Sequence, residues 1–313
     1  MDILTGGIVF YSAWIIYEWI FGKKNDDMNN IKEVWQQLFS EYSIQEFKKT
    51  ETGYLLIIEI PIGGSINSIE NKKSILEKAL RSQILIKDIR YSNICEVELI
   101  NKEFRDSPFK PIPLKPTELL SGHNHKGEPL IIDMLETPHL LVTGLSGNGK
   151  TGMIRVMIKN LMANGGVDTM LLNGFINDYK GFNISHITDH KDIETYIQEL
   201  LNDINNGITR DRPLYIFFDE LGKVKDKNLI GLITKLLQYG RHNKIYLIGI
   251  IQTATKEELK FKSLFNARCT FKQLEESSYR VVLGCSIDGK LQKREFYLYT
   301  NDLYKGYTYT LQF

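Results

Sequence analysis

Cysteine is scarce in this 313-residue chain, and the three present, Cys95, Cys269 and Cys285, are far apart and odd in number. No zinc or redox spacing joins them, which excludes a disulfide framework and leaves reduced core residues in a cytosolic body. An excess of either charge is missing as well: 39 Lys and Arg stand against 38 Asp and Glu, a formal net charge of +1. Global basicity therefore does not advertise a nucleic-acid binder, and any such contact must be local, for instance a ring of loops around a pore. Internal repeats and low-complexity tracts are absent, which excludes a repeat array. Metal-ligand clusters are incomplete. His186 and His190 in HITDH could face a metal from one helix, and His123 and His125 form a second close pair, but no third ligand cluster accompanies either. What remains, at 42% hydrophobic and 25% charged residues, is an ordinary globular composition of a length that suits one or two domains.

Long apolar runs are rare, with one exception. Ile3 to Gly22, ILTGGIVFYSAWIIYEWIFG, has Glu18 as its one charge and is followed directly by Lys23 and Lys24. At about 1.5 Å per residue it is long enough to cross a bilayer core of about 30 Å. A cleaved signal peptide should carry its positive charge before the apolar run and small residues at the cleavage site; here the charge follows, and Trp19, Ile20 and Phe21 are bulky. The paired lysines favour a cytoplasmic C-terminal side, and Trp14, Tyr17 and Trp19 suit an interfacial belt. Glu18 and the two glycines are also compatible with an amphipathic or buried helix. The expectation is a single-pass cell-membrane anchor, residues 1–24, with a cytoplasmic body.

After the polar break KKNDDMNN, residues 31–41 have helical apolar spacing. GYLLIIEIPIG reads as a strand, SINSIENKKSILEKALRS as a capped amphipathic helix, and ILIKDIR and NICEVELI as two further strands. This predicts a small α+β accessory domain of β-α-β-β form, residues 25–106. SPFKPIPLKP then holds four prolines in ten residues and cannot be a regular helix interior. It opens a proline-rich linker, residues 107–137, that continues into SGHNHKGEPLIIDM, a hairpin or strand. From residue 138 to 313 apolar strands alternate with helices, the signature of an α/β domain with a central, mainly parallel sheet.

The densest chemistry begins at HLLVTG, a buried-strand run. GLSGNGKT fits G-x-x-x-x-G-K-[ST], spanning Gly144, Leu145, Ser146, Gly147, Asn148, Gly149, Lys150 and Thr151. Glycines let backbone N–H groups surround phosphate oxygens, and the helix that follows adds the positive end of its dipole. Lys150 would reach the β and γ phosphates of ATP, and the Thr151 hydroxyl would hold Mg2+. Met153, Ile154, Met157, Ile158 and Leu161 then have the spacing of a helix packed on a sheet, closed by Gly165 and Gly166. PLYIFFDE supplies the second requirement of a hydrolytic site: an apolar strand delivering Asp219 to the metal shell and Glu220 to polarise the attacking water. A DE pair after a strand can also be a helix N-cap. A third strand, KIYLIGIIQT, ends in Gln252 and Thr253, where an amide can sense the γ phosphate or simply satisfy backbone groups.

Several stretches together resemble the FtsK/SpoIIIE DNA-translocase family, in the FtsK/HerA branch of RecA-like P-loop motors. TPHLLVTGLSGNGKT is similar to its strand and Walker A segment, IFFDE to its Walker B with adjoining glutamate, and LLQYGRHNKIYLIGIIQTAT to its helix, Gly-Arg and sensor-strand segment. NDYKGF resembles an Asp-Pro-Lys stretch of the family, with Tyr179 in place of the proline, and QTAT stands where many members have a TQRP-like sequence. The anchor, small α/β unit, proline linker and short motor resemble coupling proteins of Gram-positive conjugation systems, the TcpA group. With Phe313 soon after the motor core, the winged-helix module of chromosome translocases is not expected.

The resemblance implies an ATPase in a homo-oligomeric, hexameric ring that threads DNA, and partners such as relaxosome or secretion-channel proteins. Such a ring needs a cation from the neighbouring subunit; Arg241, Arg268 and Arg280 are open alternatives, and each can also be an ordinary solvated side chain. Lys223, Lys225 and Lys227, just past the Walker B acids, are positions for sequence-independent phosphate contacts, or a solvated turn. The leading expectation is a membrane-anchored, ATP-driven DNA translocase that delivers plasmid DNA to a secretion channel. The alternatives are a plasmid or phage DNA-packaging or partition ATPase of the same fold, and a nucleotide-gated membrane scaffold that does not pump.

Overall fold

The computed structural model describes residues 23–102, 105–252, 261–285, 287 and 291–311; the predicted span at 3–22 and Thr253 lie outside them. Among the described residues no helix is long and apolar enough to cross a membrane. The chain divides into two compact units, Met1–Glu103 and Phe104–Phe313.

In the smaller unit the described elements run α1 (Lys23–Leu38), β1 (Ser43–Lys49), β2 (Gly53–Glu59), α2 (Ile66–Leu80), β3 (Gln83–Asp88) and β4 (Ile94–Ile100). The four strands pair antiparallel in the order β1-β2-β4-β3. Alternation does the work of a one-sided sheet: Leu56 and Ile58 of β2 and Cys95, Val97 and Leu99 of β4 are buried against Trp35 of α1 and Ile69 and Leu76 of α2. The β-α-β-β expectation omitted β1. Its sequence, SIQEFKK, is largely exposed and its pairing slips between Ile44 and Glu46, so no apolar pattern announces it.

The larger unit continues with β5 (Glu118–His123), β6 (Pro129–Asp133), β7 (Leu140–Thr143), α3 (Lys150–Asn164), β8 (Asp168–Leu172), β9 (Ser185–Ile187), α4 (His190–Asn205), β10 (Leu214–Phe218), α5 (Lys227–Tyr239), β11 (Ile245–Ile251), β12 (Ala267–Thr270), α6 (Glu276–Leu283), β13 (Glu295–Tyr299) and β14 (Leu303–Tyr307). Its strands form one sheet in the order β6-β5-β14-β13-β12-β7-β11-β10-β8-β9. Neighbours from β12 through β9 are parallel, and those from β6 to β12 are antiparallel. The sheet is thus mixed, a parallel core with an antiparallel wing.

Residues of β7, β10 and β11 are buried on both faces, as a sheet covered on two sides requires. Period-two alternation sorts β10: Leu214, Ile216 and Phe218 face the cluster containing Ile193 and Ile197 of α4 and Leu229 and Ile233 of α5. Tyr215 and Phe217 face the cluster containing Met153, Ile154, Met157 and Ile158 of α3. The proline-rich segment is strapped onto α3 by two asparagines one turn apart: Ile112 N donates to Asn160 Oδ1 at 2.8 Å, and Asn164 Nδ2 donates to the Ile112 carbonyl at 2.9 Å.

His186 ends up exposed on β9 and His190 opens α4, with the N-cap Asp189 between, so the pair shares no helix face. His123 is buried, its ring stacked on Tyr307 at 5.7 Å. No cluster of three His, Cys, Asp or Glu able to hold a metal occurs among the described residues. Cys95 and Cys269 are buried free thiols and Cys285 is half-buried.

Candidate nucleotide site

The parallel core creates the site by its strand order. The chain leaves β7 through α3 and returns at β8, skipping the places taken by β10 and β11, so the carboxyl ends of β7, β11 and β10 open on one crevice. Residues 144–149 form the turn between β7 and α3. A Cβ on Gly144, at φ 139°, would sit 2.6 Å from Phe271 Cβ; one on Gly149, at φ 120°, would sit 3.0 Å from Phe271 Cε1 and 3.2 Å from Arg294 Cα. Only glycine fits these positions, because the segment after β12 lies directly against the turn. That segment is bonded to it: Leu145 N donates to the Lys272 carbonyl and Phe271 N to the Thr143 carbonyl, both at 2.9 Å.

A cavity of about 340 Å³ lies over the turn, lined among others by Gly147, Gly149, Lys150, Thr151, Asp219, Glu220 and Gln252. Ser146 also borders it, whereas Leu145 and Asn148 contribute backbone: the Asn148 carbonyl accepts from Arg294 N at 2.8 Å. Lys150 folds its ammonium back onto the turn, donating to the Gly144 carbonyl at 2.5 Å and the Leu145 carbonyl at 3.0 Å. Burial holds its pKa below the ordinary lysine value, and the nearby Asp219 charge partly offsets that. Phosphate oxygens would replace carbonyl acceptors that are weaker partners for a cation.

Asp219 and Glu220 follow the last residue of β10. Burial pushes the Asp219 carboxyl above the usual range; the Glu220 amide bonded to it at 2.9 Å works the other way. Glu220 takes a left-handed conformation, φ 50°, which turns its side chain toward β11, where Gln252 Nε2 donates to Glu220 Oε1 at 3.0 Å. β11 runs between β7 and β10, so Gln252 stands between the phosphate turn and the acids. The donor set fits magnesium: the hard oxygens of Thr151 and Asp219 border one cavity, and a Mg2+ ion takes one or two carboxylates with phosphate and water rather than a full protein cage. Bound there with ATP, the ion would supply charge neutralisation at the phosphates.

The remaining predicted residues are not brought together. Arg241 lies in the turn before β11, at the opposite end of the strand from Gln252. Arg268 is half-buried in β12, its Nε donating to the Phe265 carbonyl at 3.1 Å, and Arg280 is exposed on α6. None of the three lines the cavity. Lys225 and Lys227 are exposed, but Lys223 is engaged with Glu220 Oε1 at 2.6 Å.

Sequence reading missed two supports of the turn. Gln273 is buried and donates to Thr143 Oγ1 at 3.1 Å and Thr270 Oγ1 at 2.9 Å, while its amide N–H is held by Tyr279 of α6 at 2.9 Å. Arg294 donates to the Thr308 carbonyl and to Thr310 Oγ1, both at 2.7 Å, and to Asp106 at 2.9 Å. No local pattern signals either: Gln273 reaches Thr143 130 residues upstream, and Arg294 is bonded to Thr308, Thr310 and Asp106, none of them a near neighbour in sequence. Phe175 and Asp178 also border the cavity, beside the buried Tyr179.

The FtsK/SpoIIIE family model matches residues 109–207, from the proline-rich strap through the phosphate turn to just past α4. Over these residues the chain is similar to the FtsK/SpoIIIE family. Its relatives extend the likeness beyond that match. A DNA translocase FtsK from Borreliella burgdorferi is 25% identical over 242 residues, 65% of this chain and 30% of the relative. One from Lactiplantibacillus plantarum is 28% identical over 116 residues, 33% of this chain and 14% of the relative. The chain therefore spans less than a third of the length of these relatives. Among solved structures, the pCW3 conjugation coupling protein TcpA, a monomer form with ATPγS, has a TM-score of 0.60 at 15% identity, covering 91% of this chain and 95% of that one. EssC ATPases 2 and 3 from Geobacillus thermodenitrificans have a TM-score of 0.56 at 15% identity, covering 84% of this chain and 55% of that one. The segment similar to the FtsK/SpoIIIE family thus sits in an α/β P-loop ATPase-like fold.

Proposed function

We propose that this chain is an ATP-driven DNA translocase that acts as a membrane-anchored conjugative coupling protein. The observation that carries the reading is the single cavity bordered by Lys150, Thr151, Asp219, Glu220 and Gln252 in a chain similar to the FtsK/SpoIIIE family. In this reading the turn amides and Lys150 bind the triphosphate, and Thr151 and Asp219 hold Mg2+. Glu220 orients the attacking water, and Gln252 reports the γ phosphate to β11. DNA as the substrate is supported by the FtsK relatives, and the coupling role by the likeness to TcpA along nearly the full length of both chains. Anchoring rests on the apolar run at 3–22, and a hexameric ring on the resemblance to FtsK/SpoIIIE motors; in such a ring Arg241, Arg268 or Arg280 would supply the cation in trans.

The test is ATP hydrolysis by the full chain in detergent, with and without duplex DNA. DNA should raise the rate, and Lys150→Ala should lower it about 100-fold or more, the scale on which removing a charge stabiliser acts. A Lys150→Ala variant as active as its parent would remove the mechanism.

A further inference from the structure

The carboxylate expected to polarise water is already occupied. Glu220 Oε1 accepts from Lys223 Nζ at 2.6 Å and from Gln252 Nε2 at 3.0 Å. Lys223 reaches it from the short turn after β10, where Leu221 and Val224 are buried and pin the backbone, and Lys223 N donates to the Glu220 carbonyl at 2.9 Å. The two ends of the ion pair differ in access: the lysine side chain is 61% exposed and the glutamate 20%. Lys225 and Lys227 are exposed on the same stretch and add positive charge beside it. A polyanion arriving at this turn can therefore compete for the ammonium, while the carboxylate, held at the strand end, cannot follow it.

We propose, resting on the reading of this chain as a DNA-driven ATPase, that Lys223 is a positioning residue shared between Glu220 and the DNA backbone. Without DNA its ammonium keeps the Glu220 oxygen from water. With DNA a phosphodiester oxygen draws the ammonium outward, and the place Lys223 held on Glu220 Oε1 opens to a hydrogen bond from the water that attacks the γ phosphate, while Gln252 keeps its own bond to that oxygen. The device needs no sequence readout, because the competing group is the phosphate that every nucleotide carries.

The experiment compares the full-length parent, Lys223→Met and Lys223→Arg for ATP hydrolysis, each with and without duplex DNA. Lys223→Met should raise the DNA-free rate about two- to fivefold, the scale of a half-exposed ion pair, and cut the stimulation by DNA by the same factor. Lys223→Arg, which keeps a cation that can reach the carboxylate, should restore the low DNA-free rate. A Lys223→Met variant with the parent's DNA-free rate and stimulation, or with a lower DNA-free rate, overturns the inference and leaves a DNA-stimulated parent intact. A parent that DNA does not stimulate overturns the translocase reading, and the inference falls with it.

Discussion

His139, at the threshold of β7, is buried with its Nδ1 accepting the Leu247 amide at 3.0 Å. Burial depresses its pKa from 6.5 to about 4, so the folded chain holds the neutral ring while the unfolded chain protonates it. The stabilisation is complete above pH 6.5 and is lost as pH falls through about 4, at up to about 1.4 kcal/mol per pH unit. His139→Asn keeps an acceptor at the same place and tolerates the left-handed backbone, φ 64°. It should remove this part of the acid slope in urea midpoints measured from pH 7 to pH 4; an unchanged slope would assign the acid loss to other groups. At this scale the sequence was legible where chemistry is contiguous. Lys150, Thr151, Asp219 and Glu220 are each read from neighbours in the chain. The engagement of Glu220 by Lys223, three residues away, was hidden because it depends on a left-handed backbone that a glutamate rarely adopts.

At the scale of elements, the phosphate turn is held from behind rather than by its own bonds alone. The segment following β12 brings Phe271 against Gly144, and Gln273 ties Thr143 to Thr270 within the core. Gly144→Ala adds a carbon 2.6 Å from Phe271 Cβ on a backbone that disfavours any side chain, and should cost about 2–4 kcal/mol in denaturant unfolding. A neutral result would mean that the turn shifts freely off β12. The strands that build the site, β7, β10 and β11, were visible as apolar runs because both of their faces are covered. β1 was invisible because an exposed edge strand needs no apolar face, and the strap at 107–116 read as a linker because its attachment is made by Asn160 and Asn164, far along the chain.

At the scale of the whole molecule, sequence order alone could not reveal that the strands after α6 join the sheet on the far side of β12 from β7, beside a hairpin formed before it. That closure places Arg294, at the root of β13, between the wing and the phosphate turn: its backbone N–H holds Asn148 while its guanidinium grips Thr308 and Thr310. The consequence is mechanical. Residue 294 thus joins the hairpin β13-β14 to the turn that would cradle phosphate, its guanidinium bonded to the chain after β14 and its backbone N–H to Asn148, so a displacement of one is felt at the other. Arg294→Ala keeps the backbone bond to Asn148 but removes the guanidinium's hold on Thr308 and Thr310, and should speed exchange of the residue-294 amide that donates to Asn148 about tenfold, the worth of a charge-assisted hydrogen bond; unchanged exchange would show that the turn is held without that grip.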